Sequence, residues 1–137
     1  MSATSAVVQG RAAAEANMLD SCVIARPASG TPSPDDFDEA TGTYNPPTST
    51  QVYAGRCQVQ LVDVLPQVAV SGEADVFSQR ATVKLPVDGS AGVQIGDVVT
   101  ITAATLDADL LGRSYVVRGL HHKTFATARR LQCEEVV

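Results

Sequence analysis

The sequence predicts a mainly β fold: a small antiparallel β-barrel or sandwich with an N-terminal α-helix and a long acidic, Pro-rich loop. Three observations predict it. From residue 20 onward, apolar and polar residues alternate in six or more short runs, and the runs are separated by Gly, Pro and Asp. The first twenty residues are instead Ala-rich. The stretch 27–50 holds five of the chain's seven prolines, four acids and no Lys or Arg. A chain of 137 residues, 45% hydrophobic and 4% aromatic, suffices for one domain (1–137) whose core is built from small side chains.

The helix is placed at 5–19. Ser5 is a capping residue, and Ala12, Ala13, Ala14 and Ala16 are strong helix formers. Its apolar pattern is split into two stripes, Val7, Ala14 and Met18 against Val8, Ala12 and Leu19. Arg11 and Glu15 lie between the stripes at the i,i+4 spacing of an ion pair. Two stripes fit two surfaces, the chain's own body and a neighbour, which makes Arg11 and Glu15 candidates for a subunit interface. The plainer reading is that alanines blur the pattern.

The barrel is placed at 20–26 and 51–137. In "DSCVIARP", Cys22 and Ile24 alternate with Val23 and Ala25 until Pro27 stops the strand. "TQVYAGRCQVQLVDV" is a long strand in which Gly55 marks a bulge or bend. "PQVAVSGEADVF" reads as a strand, a turn at Ser71-Gly72 and the start of another strand. "QRATVKLP" sets Ala81, Val83 and Leu85 against Arg80, Thr82 and Lys84. Turns follow at Asp88-Gly89 and Gly96-Asp97, and Val99, Ile101 and Ala103 alternate after them. Gly112 bends the chain before Tyr115, Val116 and Val117, and Leu131 and Cys133 alternate in the last strand. Between the first two strands, "DFDEATGTY" reads as a β-finger with Phe37 and Tyr44 flanking Thr41-Gly42, so 27–50 is an extended loop or a finger.

Charge narrows the function. Net charge is −5, with 15 acids and 10 bases, and four of the acids sit in 27–50. The remainder is close to neutral, which argues against free affinity for nucleic acid, since that needs clustered Lys and Arg. No run approaches the length of a membrane span, and the first residues lack the pattern of an export signal. Reduced thiols are therefore expected for Cys22, Cys57 and Cys133.

The residues offer little chemistry. Cys22, Cys57, Cys133, His121 and His122 lack the short paired spacing of zinc sites, and each cysteine fills an apolar slot in a strand. Arg56 neighbours Cys57 in sequence, but strand neighbours point to opposite faces, so an activated thiol is not indicated. His121-His122-Lys123 reads as a solvated strand end, with a pH switch or a contact for acidic groups as the functional alternatives. Asp107 and Asp109 flank a turn, and the acids of "DDFDEATG" do not follow a calcium-loop pattern. No phosphate loop, dinucleotide fingerprint or nucleophile elbow is found. The expectation is a binding or structural protein, not an enzyme, with no cofactor and no metal.

The order of segments narrows it further. An Ala-rich helix leads into "MLDSCVIARP". The acidic loop with "DEATGTY" follows, then "VYAGRCQVQ", "ATVKLP", "IGDVVTI", "LLGRSYVVRGL" and "RRLQCEE". In this order and spacing the chain resembles the head-completion proteins of long-tailed bacteriophages, the head-to-tail connector or stopper type of actinobacterial phages and prophages. The resemblance implies a virion protein of the neck, assembled in the host cytoplasm. It would form a ring of six or twelve copies with the portal or adaptor on one face and a tail terminator or tail tube on the other. Double-stranded DNA would pass through without sequence-specific binding, and no membrane is involved. It also implies that Asp35, Asp36, Phe37, Asp38, Glu39 and Tyr44 face the channel or a partner. The helix and free strand edges would supply the ring contacts. The alternatives are a terminator or adaptor of the same neck, or a soluble metal-binding or enzymatic barrel.

Overall fold

The computed structural model describes residues 2–28, 35, 37–44, 49–61, 67–71 and 74–136. The chain begins with helix α1 (Ala3–Ala16). Ser2 caps it, its Oγ accepting from the Ser5 amide at 3.1 Å. The helix thus starts two residues before the expected Ser5, because Ser2 satisfies a first-turn donor that would otherwise be orphaned. It also ends earlier than residue 19. Asn17 closes it, with its amide bonded to the Ala14 carbonyl, and Leu19 leads straight into β1.

The two helical stripes separate by burial. Val7 and Ala14 are half-buried and Met18 is buried, whereas Val8, Ala12 and Leu19 are exposed. One stripe docks on the chain's own body and the other faces solvent. Docking is close at Gly10, where a Cβ would lie 2.7 Å from the Thr127 methyl.

Strand β1 (Asp20–Arg26) is followed by a short hairpin, β2 (Phe37–Asp38) and β3 (Thr43–Tyr44), and then by the long β4 (Thr50–Leu61). A second hairpin, β5 (Gln67–Ser71) and β6 (Ala74–Ser78), precedes β7 (Arg80–Leu85). The chain ends with β8 (Val98–Ala103), β9 (Ser114–His121) and β10 (Arg129–Val136). Six strands close a barrel in the order β1-β4-β7-β10-β9-β8, every pairing antiparallel. The β2–β3 and β5–β6 hairpins form two separate small sheets. Two expectations change here. The barrel does not run unbroken from 51 onward, because β5–β6 stands outside it. Closure also leaves the barrel strands without free edges, so the free strand edges expected to supply ring contacts are not found on them.

Alternation places the core. Cys22 and Ile24 of β1, Ala81, Val83 and Leu85 of β7, Val99 and Ile101 of β8, Tyr115 and Val117 of β9, and Leu131 and Cys133 of β10 all point inward and are buried. Ala103 is the exception. The register with β1 shifts at Thr102, since Cys22 pairs with Ile101 and Ser21 with Ala103, so the alternation breaks and Ala103 is exposed. The register on β4 corrects the reading of Gly55. Ile24 pairs with Tyr53 and Ala25 with Gln51, so the extra residue is Val52, while Gly55 stays paired with Cys22. Gly55 instead makes room for a tyrosine: the Tyr53 ring folds back over it and its hydroxyl donates to the Arg56 carbonyl at 2.7 Å. Gly96 and Gly112 are turn glycines as expected, with φ of 97° and 83°, where other residues are strained. No helix is long and apolar enough to cross a membrane among the described residues.

Candidate functional site

The finger read from the sequence is present. Phe37 pairs with Tyr44 and Asp38 with Thr43, and the two rings meet edge to face with centroids 5.1 Å apart. The turn between them is held by the Gly42 amide on the Asp38 carbonyl at 2.8 Å. An Asp38 carboxylate oxygen also accepts from the Ala40 amide at 2.9 Å, a local bond that short polar side chains favour in turns. Gly42 sits at φ 71°. Both rings remain exposed, Phe37 at 43% and Tyr44 at 55%, although an aromatic pair of this size is normally covered. Asp35 and Glu39 are exposed beside them and Asp38 is half-buried. Asp36 lies outside the described residues.

Sequence reasoning missed how the segment is rooted. Arg26, the last residue of β1, reaches across to Asp97 before β8. Its Nε lies 3.1 Å from Oδ1 and one terminal nitrogen 3.3 Å from Oδ2, and that nitrogen also donates to the Gly92 carbonyl at 2.8 Å. Asp97 is 1% exposed, and its carboxylate also accepts from the Gln94 amide at 2.8 Å. A buried carboxylate is tolerated when paired and fully hydrogen-bonded, and this one is. The backbone joins in, since the Val117 amide donates to the Asp97 carbonyl and the Gly96 amide to the Val117 carbonyl. Arg26 pairs with Thr50 in the ladder, so both ends of the long insertion leave one fixed point. The signal was weak: Gly-Asp before a strand reads as an ordinary solvated turn.

Arg11 and Glu15 do not pair with each other. Arg11 donates from Nε to the Ala126 carbonyl at 3.1 Å and lies 3.8 Å from Asp88. It fastens the helix to the β9–β10 loop. Glu15 is half-buried, and its charge is the smallest of the influences on Tyr53, whose hydroxyl is pushed up to about 12 chiefly by burial.

The three thiols are free and buried in the barrel core. Burial pushes the Cys133 thiol up to about 12, and Cys57 is raised first by its hydrogen bond with Cys22 and then by burial. Such thiols are poor nucleophiles. Among the described residues no three His, Cys, Asp or Glu side chains are placed to hold a metal ion. Asp107 and Asp109 serve the local fold. Asp107 caps the 3-10 turn Ala108–Leu110, and Asp109 joins Glu135 in gripping Arg113. Beside them runs a groove of about 440 Å³, walled by Val59, Leu61, Asp107, Arg113, Tyr115 and Glu135.

The opposite character collects around the β9–β10 connection. The register sets Arg130 beside His121, and Arg11, His122, Lys123 and Arg129 stand around the same loop, lining two small cavities of about 150 and 210 Å³. Arg129 is braced by the buried Ser90 hydroxyl at 2.8 Å, which itself donates to the Pro86 carbonyl.

A family model matches residues 10–134, from the middle of α1 into β10. The chain belongs to this family, DUF6093, a family of unknown function. No curated protein and no solved structure matches the chain. The match therefore spans the finger and all of the barrel but the end of β10, and it carries no assigned activity.

Proposed function

We propose that this DUF6093 chain is a structural protein of a bacteriophage neck, a head-completion subunit of the connector or stopper type. In this reading it forms a ring between the portal or adaptor and the tail, joins the two and helps retain packaged DNA. The observation that carries the reading is the fingered barrel. A closed six-stranded barrel bears an acidic hairpin with two exposed aromatic rings, and the insertion's ends are fixed by Arg26 and Asp97. The ends of the insertion are fixed on the barrel, and the finger's exposed rings await a partner surface. The chain's net charge of −5 suits a DNA channel, since like charge keeps phosphate from sticking. The segment order of the sequence supports the same reading.

The test is to neutralise the loop acids together, Asp35→Asn, Asp36→Asn, Asp38→Asn and Glu39→Gln, in the phage or prophage that encodes the chain. The barrel should fold as before, while heads leak DNA or fail to join tails. Normal phage yield from this variant contradicts the reading.

A further inference from the structure

We infer that the basic surface around the β9–β10 loop is the seat for the acidic β2–β3 finger of a second copy of this chain. The inference rests on the ring reading and names the contact that would join one subunit to the next. Four of the chain's ten Lys and Arg residues, Arg11, Lys123, Arg129 and Arg130, gather here with both histidines. Among the described residues no carboxylate lines either cavity. The nearest acid among the ion pairs is Asp88, which is 3.8 Å from Arg11 and 87% exposed, so it offsets little of the charge. Arg11 and Arg129 spend their donors on the Ala126 carbonyl and Ser90, which fixes the surface, and the exposed Lys123 and Arg130 are left to face outward.

The finger is complementary in two independent respects. Its stretch, 27–50, carries four acids and no base, against a surface whose charged lining among the described residues is wholly basic. It also carries exposed Phe37 and Tyr44, and the basic loop carries Phe125, 59% exposed. Among the described residues no ion pair joins finger and basic surface within one copy. Finger and seat are different surfaces, so the contact is head-to-tail, the kind that closes into rings. A duplex is the weaker occupant, because a chain of net charge −5 repels a polyanion as a whole.

The chain has only two lysines, Lys84 and Lys123, which makes zero-length coupling of carboxylates to lysine decisive. An equimolar mixture of ¹⁵N-labelled and unlabelled full-length protein would be treated with carbodiimide at low salt and mapped by mass spectrometry. The expected product joins Lys123 of one isotope to Asp35, Asp38 or Glu39 of the other. Its yield should fall about tenfold near 0.5 M NaCl, where the screening length is roughly 4 Å. Arg130→Glu should lower the yield similarly, and mixing it with a labelled Asp38→Arg copy should restore coupling from the labelled finger to the unlabelled Lys123. Same-isotope products alone would mean that the finger seats on its own barrel and would overturn the inference. So would the absence of Lys123 products, including the case in which the surface binds a short DNA duplex instead. Presence in the neck without these cross-links sinks the contact and spares the neck assignment. Cross-links from a chain absent from particles do the reverse.

Discussion

Arg26 and Asp97 form the ion pair that ties the root of the 27–50 insertion to the barrel, with Asp97 almost wholly buried and Arg26 partly exposed. Removing the cation leaves a buried carboxylate uncompensated. Arg26→Met should therefore cost about 2–4 kcal/mol, a fall in Tm of roughly 5–15 °C for a domain of this size. Adding Asp97→Asn to that variant removes the stranded charge and keeps an acceptor for the Gln94 amide. The double variant should melt above the single one. If it melts lower, charge is not what Arg26 supplies.

The core thiols predict an alkaline limit. An unfolded cysteine loses its proton near pH 9, whereas folded Cys133 holds its proton until about pH 12. Above pH 9 the unfolded state therefore binds fewer protons, and stability falls as pH rises toward 12, by up to about 1.4 kcal/mol per pH unit for each such proton. Tyr53 adds to this between pH 10 and about 12. Urea midpoints measured from pH 8 to 11 should decline, and native protein at pH 8 should resist alkylation at all three cysteines. Rapid native labelling of Cys57 or Cys133 would show that the barrel interior is open.

Gly10 tests how tightly the helix is seated. In an exposed helix, Gly→Ala gains about 1 kcal/mol. Here the new methyl would meet the Thr127 Cγ2 at 2.7 Å. Gly10→Ala alone should be neutral or destabilising, and in a Thr127→Ser background it should stabilise by about 0.5–1 kcal/mol. Equal gains in both backgrounds, measured by urea denaturation, would mean the helix does not dock on the 122–128 loop.

The strands were legible because a closed barrel shows one face of each strand to the core, so period-two alternation survives in Ala81, Val83 and Leu85 or in Leu131 and Cys133. The finger was legible because Phe37 and Tyr44 flank a short turn containing Gly. The rest depends on pairings that no local pattern reveals. Arg26 and Asp97 are 71 positions apart, and the buried acid sits in what reads as a solvent turn. The basic surface joins Arg11 to Arg129 only because the helix docks on the β9–β10 loop. Local spacing even misled for Arg11 and Glu15, where Arg11's tertiary partners Ala126 and Asp88 outcompeted an i,i+4 pair worth only a few tenths of a kcal/mol.

The central claim is that this chain is a ring subunit of the neck, and a reconstruction of the head–tail junction of particles encoding it tests that most directly. The account predicts the six-stranded barrel repeated around the DNA axis between portal and tail, with residues 27–50 directed to the channel or to a neighbouring subunit. A neck in which every ring is traced to other chains would contradict it.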